Sequence, residues 1–240
     1  SAFAPTPAFS NLSAGPSGTN VAVDGVYGTW HGERWTSKAA MPTARAYPAA
    51  ANVNGKIYVL GGYAPGATAL NEVYDPALDA WTTRAAMPTA RFALGAASLD
   101  GRVHAVGGEN PAAAGLAAHE VYDPASDAWT TKADLPLARY ELAAAGAGGQ
   151  VYALGGWNAG MTARVDGYDP AADEWTLKTP MAGNRRGLAA VASGGKVYAL
   201  GGGNPSYSRT NEQYDPALNV WTLKAPMPTE RQWMGAAALG

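Results

Sequence analysis

Residues 74–91 read YDPALDAWTTRAAMPTAR, and residues 214–231 read YDPALNVWTLKAPMPTER. The pattern also recurs between these two stretches, because Tyr-Asp-Pro begins seven residues before a Trp at four places in the chain. These Tyr and Trp positions are Tyr74 with Trp81, Tyr122 with Trp129, Tyr168 with Trp175, and Tyr214 with Trp221. Trp35 precedes them, and the five Trp follow one another at intervals of 46, 48, 46 and 46 residues. A fixed period of this length indicates a repeat protein.

Two further markers keep the same register. A Gly pair begins 26 residues after each of the first four Trp, and an Arg follows ten residues after all five. The Gly pairs are Gly61-Gly62, Gly107-Gly108, Gly155-Gly156 and Gly201-Gly202. The repeat Arg are Arg45, Arg91, Arg139, Arg185 and Arg231. Markers that share one register predict that each unit is one supersecondary structure, stacked on the next.

Each unit is predicted to contain four strands. A run of small apolar residues follows the repeat Arg and ends in a two-residue turn such as Asn54-Gly55, which suits a type I′ hairpin. A second strand runs to the Gly pair, a third ends at Tyr-Asp-Pro and a fourth opens at the Trp. The predicted first and second strands are Ala49–Val53 with Lys56–Leu60, Gly95–Leu99 with Arg102–Val106, Leu142–Ala145 with Gln150–Leu154, and Leu188–Ala192 with Lys196–Leu200.

Four short antiparallel strands in each of five units predict an all-β fold, a five-bladed β-propeller. Gly-Gly, Tyr-Asp and Trp at these spacings resemble the kelch repeat, and the resemblance covers nearly the whole chain. We predict one domain over residues 1–240. Its units are residues 45–90, 91–138, 139–184 and 185–230, with a split closing blade formed by 1–44 and 231–240.

The closing blade is predicted from the two ends of the chain. Gly15 lies 20 residues before Trp35, so residues 8–35 are expected to supply three strands and Gln232–Leu239 the first strand. Pairing the C-terminal strand with N-terminal strands removes open sheet edges, and the resemblance to kelch propellers implies the same closure. The first unit departs from the pattern, because Gly28-Thr29-Trp30 stands where Tyr-Asp-Pro is expected.

Composition narrows the function classes. The chain carries 17 Lys and Arg against 19 Asp and Glu, so it has no basic excess to neutralise a nucleic acid backbone. No apolar run approaches the length of a membrane span, and we predict neither nucleic acid nor a membrane as a partner. The sequence has no Cys, which excludes disulfides and thiolate chemistry. A start rich in Ala, Pro, Ser and Gly favours a secreted or periplasmic protein, and we expect a monomer.

Aromatic residues outside the repeat positions cluster beside the repeat Arg and beside the Gly pair. These points are the start of strand one and the end of strand two, which lie at the same end of a hairpin. Because strand one is innermost in a blade, we expect their side chains to surround the mouth of the central channel. Polar residues at these points differ from blade to blade, as in a ligand site. The predicted ligand-binding residues are Tyr47, Tyr63, Phe92, Glu109, Asn110, Tyr140, Glu141, Trp157, Asn158, Arg186, Asn204, Gln232 and Trp233.

The repeat Arg have two interpretations. They either tie the scaffold together through charge-assisted hydrogen bonds or present a cationic ring to a carboxylate ligand. Arg186 is an additional Arg outside the repeat pattern. The repeat Trp and Tyr are expected to fill the spaces between blades, and the resemblance to peptide-binding kelch domains implies ligand contacts beside the Arg and Gly pairs.

Catalytic residues are few. Glu109 and Glu141, on successive units, are the candidates for a general acid and base. Kelch-type copper-radical oxidases require a Cys cross-linked to Tyr, which this chain cannot form. His31, His104 and His119 show no metal-ligand spacing, so we predict no metal and no cofactor.

The predicted function is a binding module that recognises a small glycan or a peptide at the channel mouth. One alternative is a small sugar isomerase or hydrolase, because kelch-like sialic acid epimerases are enzymes of this kind. A scaffold or designed ring without a ligand is the other, suggested by the similarity of the later units. Two carboxylates beside aromatic rings would also suit a cationic ligand.

Overall fold

The computed structural model describes residues 36–204 and 206–238. The chain divides into two compact units, Ser1–Lys38 and Ala39–Gly240, and every strand given below belongs to the second. The N-terminal strands predicted within residues 8–35 lie outside the described residues. Among the residues that are described, no helix is long and apolar enough to cross a lipid bilayer.

Four antiparallel sheets, each of four strands in chain order, make up the described structure. The first contains β1 Ala49–Val53, β2 Lys56–Leu60, β3 Asn71–Asp75 and β4 Ala80–Thr83. The second contains β5 Gly95–Leu99, β6 Arg102–Val106, β7 His119–Asp123 and β8 Ala128–Thr131. The third contains β9 Ala143–Ala147, β10 Gln150–Leu154, β11 Val165–Asp169 and β12 Glu174–Leu177. The fourth contains β13 Ala189–Ser193, β14 Lys196–Leu200, β17 Asn211–Asp215 and β18 Val220–Leu223.

A short ladder of β15 Gly203–Asn204 and β16 Ser206–Tyr207 lies in the loop between β14 and β17. The first strands of successive sheets, β1, β5, β9 and β13, lie side by side. The hairpin turns at their ends have positive φ at both central residues, 52° at Asn54 and 75° at Gly55 in the first sheet. The prediction of type I′ turns is therefore confirmed.

The prediction of five blades is wrong. The described residues form four blades of four strands, and residues 232–238 of the expected closing strand Gln232–Leu239 are not in a strand. Trp35 was counted as the marker of a fifth unit although neither Tyr-Asp-Pro nor a Gly pair stands in its unit. Beyond an isolated bridge between Ser208 and Arg231, the C-terminal segment forms no ladder with the described strands.

The hydrophobic core lies between neighbouring blades. One cluster joins the first and second sheets, a second joins the second and third, and a third joins the third and fourth. Each contains the Tyr of a Tyr-Asp-Pro motif, with the repeat Trp of the same unit packed against the cluster, as Tyr122 and Trp129 do between the first two sheets. Burial of these large side chains stabilises the stack of blades.

A repeated set of hydrogen bonds joins each blade to the one before it. The Trp129 Nε1–H donates to the Ala85 carbonyl at 2.7 Å. Asp127 Oδ1 accepts from the Ala85 N–H at 2.9 Å and from the Tyr122 hydroxyl at 2.6 Å. Trp81, Trp175 and Trp221 make the same indole bond to Ala39, Ala133 and Thr179. The repeat Trp therefore belong to the scaffold.

Four of the repeat Arg are buried ion-pair partners inside their own blades. Each meets a carboxylate on the third strand, and the pairs are Arg45 with Glu72, Arg91 with Glu120, Arg139 with Asp166, and Arg185 with Glu212. Arg91 also donates to the carbonyls of Ala118 at 2.8 Å and Ala105 at 3.2 Å. These four Arg are scaffold residues and present no cationic ring to a ligand. Arg231 is exposed, and its Nε donates to Thr229.

The Gly pairs allow the close approach of the next repeat. In the second blade the Gly108 N–H donates to the Arg139 carbonyl at 3.0 Å. A Cβ on Gly107, whose φ is 63°, would lie 2.6 Å from that same carbonyl oxygen. Any larger residue at this position would push the blades apart, which explains the Gly.

Candidate functional site

The two loci that the sequence analysis singled out meet at one end of each blade. Isolated antiparallel bridges join the residue after the repeat Arg to the residue after the Gly pair. The bridged pairs are Ala46 with Tyr63, Phe92 with Glu109, Tyr140 with Trp157, and Arg186 with Gly203. The expectation that these positions share one face of the blades is confirmed.

The residue two positions after each repeat Arg has a left-handed backbone. These five residues, which we call the mouth collar, are Tyr47, Ala93, Glu141, Gly187 and Trp233, with φ between 52° and 58°. Left-handed backbone is disfavoured for residues other than Gly, by roughly 1–2 kcal/mol. Four non-glycine residues therefore hold a conformation that local propensity does not favour, so the surrounding structure must impose it.

A relay of backbone hydrogen bonds imposes that conformation. Along the chain, each collar residue after the first donates its N–H to the carbonyl of the preceding one. The bonds are Ala93 to Tyr47 at 3.0 Å, Glu141 to Ala93 at 2.8 Å, Gly187 to Glu141 at 2.9 Å, and Trp233 to Gly187 at 2.7 Å. The collar backbone is thus a repeated part of the scaffold, whereas its side chains differ at every position.

All five collar residues line a cavity of about 540 Å³, the mouth cavity. Its inner wall is formed by alanines at the same position of each repeat, Ala50, Ala96, Ala144, Ala190 and Ala236. These alanines also line a second cavity of about 560 Å³ that extends along the inner strands. The two cavities share a wall of alanines, whose small side chains leave the space along the inner strands open.

One side of the mouth carries charge. The Arg186 guanidinium lies 4.6 Å from the centroid of the Trp157 ring, a cation–π distance. Its Nη1 lies 3.3 Å from Glu141 Oε2, which is near enough for an ion pair but lacks hydrogen-bond geometry. The Trp233 side chain lies near enough to Glu141 to lower the pKa of its carboxyl. The result is a cluster of two indoles, one guanidinium and one carboxylate.

The two predicted acid–base residues are electrostatically coupled. Burial raises the pKa of Glu109 above its usual value, and the negative charge of Glu141 raises it further. Burial also raises the pKa of Glu141, while the charge of Arg186 and the nearby Trp233 side chain oppose that rise. Desolvation and a like charge both disfavour ionisation, so protons bind at this side of the mouth more readily than to free carboxylates.

The other side of the mouth is aromatic. Tyr63 and Phe92 have ring centroids 5.3 Å apart at a steep angle, and Tyr47 and Phe92 are 6.4 Å apart. Tyr47 leaves 54% of its surface exposed, and Trp233, on the charged side, leaves 51%. Large exposed rings at the edge of a cavity offer flat surface for stacking.

The remaining predicted site residues lie around the cavity without lining it. Of the thirteen, only Tyr47, Glu141 and Trp233 line the mouth cavity. The side-chain amides of Asn110 and Asn158 hydrogen-bond to loop backbone. Asn110 donates to the Ala90 carbonyl, and Asn158 donates to the Ala138 carbonyl. Asn204 is exposed in the short β15 ladder. Gln232 is partly buried, with its amide beside the Gly203 backbone. Their role in binding stays a prediction.

Sequence reasoning missed Ala93 and Gly187, the two small members of the collar. They were passed over because only aromatic and polar side chains were taken as candidates. The spacing contained the signal, since the position two residues after the Arg recurs in all five units. Small residues there matter because they leave room in the cavity.

The described residues hold no group of three or more His, Asp or Glu side chains placed to bind a metal ion. His104 and His119 form a pair, with His104 Nδ1 3.0 Å from His119 Nε2, but both are buried between the second and third blades. This pair does not line the mouth cavity and belongs to the core.

The fold, the marker residues and the varied mouth define a β-propeller of the kelch class. A family model described as the Kelch motif matches residues 44–88, 138–182 and 184–228, which together exceed half of the chain. This chain belongs to the kelch-repeat family. The second blade lies outside the matched stretches yet forms the same four-stranded sheet.

Comparison with solved structures adds evidence for the fold. The structure of YjhT is similar, with a TM-score of 0.69 at 20% sequence identity, over 81% of this chain and 69% of the YjhT chain. At that identity the likeness shows the fold alone. Comparison with curated proteins finds no match to this chain.

Proposed function

We propose that this kelch propeller is a binding module that takes a small glycan into the mouth cavity. The observation that carries the proposal is the collar, where a repeated backbone presents five different side chains to one cavity. A residue that served only the scaffold would repeat, as the buried Arg–carboxylate pairs do. A volume of about 540 Å³ lies in the usual range for small-molecule sites.

The chemistry of the collar suits a sugar. Tyr47 and Trp233 supply exposed aromatic faces against which the apolar face of a pyranose ring can stack. Glu141 supplies a carboxylate that accepts hydrogen bonds from hydroxyls. A peptide is the competing ligand, and it would use the same aromatic surfaces.

The test is a binding screen on the intact chain with a panel of monosaccharides, disaccharides and short peptides, read by calorimetry. We expect Tyr47→Ala and Trp233→Ala to weaken sugar binding at least tenfold, the loss of about 1.4 kcal/mol. Tyr207→Ala is the matched control, because Tyr207 is 57% exposed but does not line the mouth cavity. Equal losses in all three variants, or capture of peptides alone, would contradict the glycan proposal.

An enzyme remains the second candidate, because the pKa values of both Glu109 and Glu141 are raised. Raised carboxylate pKa values suit proton transfer near neutral pH. Glu109 does not line the mouth cavity, so a sugar isomerase or hydrolase would need substrate to reach beyond the collar. Product analysis on wild type and on the Glu109→Gln, Glu141→Gln double variant separates the two candidates. Turnover that the double variant loses while it still binds sugar would favour the enzyme.

A further inference from the structure

The mouth already holds a cation of its own. Arg186 lies over the face of Trp157 and against the Glu141 carboxylate, so an aromatic face and an anion together hold its guanidinium. This is the arrangement by which proteins recognise ammonium and guanidinium groups. Arg186 is about one-third exposed, so it is not locked into the core.

The charges do not balance at this side of the mouth. Arg186 neutralises Glu141 in part, while Glu109 lies near enough to Glu141 for the two carboxylates to affect each other electrostatically. Glu141 Oε2 is buried and receives no hydrogen bond. A buried carboxylate oxygen without a donor is unfavourable, and a ligand that brings a charged N–H donor would satisfy it.

The aromatic side chains near Glu141 reinforce the preference for a cation. Trp233 and Glu141 line the same cavity, and the ring face of Trp157 supports Arg186. Tyr47 and Trp233 line the same cavity as the Glu141 carboxylate. A cation that enters the cavity meets the Glu141 carboxylate and aromatic rings, whereas Arg186 does not line the cavity and offers an anion no partner there.

We propose that the mouth cavity selects an amino sugar with a free, protonated amine, and that Arg186 is a built-in competitor for the Glu141 carboxylate. The proposal rests on the glycan function proposed above and specifies its ligand. In the free protein the Arg186 guanidinium pairs with the Glu141 carboxylate. On binding, the ammonium of the sugar takes that position, and the pyranose ring lies against Tyr47 or Trp233.

A matched set of three sugars tests the charge directly. Glucosamine carries the ammonium, N-acetylglucosamine has the same skeleton with a neutral amide, and glucose has a hydroxyl there. Titrations just below neutral pH and at low salt are expected to show glucosamine binding about tenfold or more tightly than either neutral sugar. The preference should shrink as salt is added, because charges near the surface are screened.

Two variants with opposite expected effects protect the test against misfolding. Glu141→Gln should abolish the preference, so that glucosamine and N-acetylglucosamine bind this variant with affinities within about threefold of each other. Arg186→Ala should tighten glucosamine binding several-fold, because the internal competitor is gone, and a misfolded protein cannot produce a gain. Arg209→Ala is the control, since Arg209 is an exposed Arg that neither lines the cavity nor pairs with Glu141.

The outcomes separate this inference from the glycan proposal. If all three sugars bind wild type equally, or if Arg186→Ala weakens glucosamine binding, the amino-sugar inference is wrong and the glycan function stands. If none of the sugars binds wild type or Arg186→Ala, the glycan function itself fails. If a lysine-containing peptide binds more tightly than glucosamine, the cation preference belongs to a peptide and the amino-sugar assignment is wrong.

Discussion

Arg–carboxylate pairs in the blade interiors differ from the Arg–carboxylate pair at the mouth. Inside the blades, Arg91 and Glu120 are buried, and further hydrogen bonds to carbonyls satisfy the guanidinium. At the mouth, Arg186 and Glu141 form a single pair that is partly open to solvent and leaves one carboxylate oxygen without a donor. Within the part of the chain that the structure describes, the first kind occurs in all four blades and the second only at the mouth.

The difference between the two settings separates the scaffold from the site. A buried charge must have its partners, since removing one partner leaves an unpaired charge in a medium that solvates it poorly. Such a requirement is the same in every blade, so the same residue types return. A pair at a cavity edge is held weakly, and its partners can exchange for a ligand.

The largest expected effect follows from breaking a scaffold pair. Arg91→Ala should lower the free energy of unfolding by about 3–5 kcal/mol, because Glu120 stays buried without its cation. Arg186→Ala at the mouth should cost less than about 1 kcal/mol. Urea unfolding of both variants measures the contrast, and equal losses would place the mouth pair in the scaffold.

A double variant sharpens this comparison. Arg91→Met with Glu120→Met replaces the pair by apolar side chains and should recover part of the stability lost in Arg91→Ala. Recovery would remain partial because the Thr89 hydroxyl loses its acceptor and the carbonyls of Ala105, Gly107 and Ala118 lose the Arg91 donors. No recovery would mean that the loss comes from the missing hydrogen bonds and not from the stranded charge.

The next effect compares two Trp. Trp129→Ala removes a ring packed between two blades and an indole bond to Ala85, and should cost about 3 kcal/mol or more. Trp233→Ala removes a ring that is half exposed at the collar and should cost clearly less. Thermal unfolding of both variants decides between a scaffold role and a site role for Trp233. Similar melting temperatures in the two variants would mean that Trp233 is a scaffold residue.

The His pair breaks the simple rule that a residue outside the repeat belongs to the site. Burial lowers the pKa of His104 to about 4 and that of His119 to about 3. In the unfolded chain both His bind a proton near pH 6.5. The stability that the neutral His pair contributes is therefore fully present above that pH and is lost as the pH falls toward 4 and below. For each His, every pH unit between its unfolded and its folded pKa is worth about 1.4 kcal/mol. We therefore expect the free energy of unfolding to fall by a few kcal/mol.

The repeat offers a matched control for this pH dependence. His104 occupies the position of Tyr58 and Tyr198, and His119 that of Asn71 and Asn211. The double variant His104→Tyr, His119→Asn should therefore fold and should lose less stability between pH 6.5 and 4. Urea unfolding across this range measures the difference, and identical curves would assign the acid sensitivity to other groups.

Sequence reasoning predicted the strands better than the blade count. The second strands Lys56–Leu60, Arg102–Val106, Gln150–Leu154 and Lys196–Leu200 have the predicted bounds, because a two-residue turn and a Gly pair delimit each of them. The count failed because Trp35 was taken as a full marker. A unit that carries Tyr-Asp-Pro, the Gly pair and the Trp together predicts a blade reliably, whereas a Trp alone does not.

The candidate site was predicted in part. The loop positions followed from hairpin geometry, and the bridge between Tyr140 and Trp157 places both where they were expected. The collar relay could not be predicted, because left-handed backbone at Tyr47 or Trp233 is imposed by hydrogen bonds between repeats. The stacking of Arg186 on Trp157 likewise depends on how neighbouring blades face each other.

The smallest expected effect tests the collar itself. Gly187 has a φ of 58°, and a Cβ there would lie 2.8 Å from the Trp233 Nε1. Ala93 already holds a φ of 52° at the equivalent position, so Gly187→Ala should cost only about 1 kcal/mol. It should nevertheless displace the Trp233 ring and weaken sugar binding several-fold.

Ala93→Gly is the reciprocal control for that variant. It removes a methyl group from the collar, adds no atom near Trp233 and relieves the left-handed strain, so the free energy of unfolding should hold or rise slightly. The indole N–H resonance of Trp233 should move in Gly187→Ala and stay in place in Ala93→Gly. If Gly187→Ala left both the resonance and the sugar affinity unchanged, Trp233 would not be the stacking surface. The varied side chains of the collar would then have to act through Tyr47 and Glu141 alone.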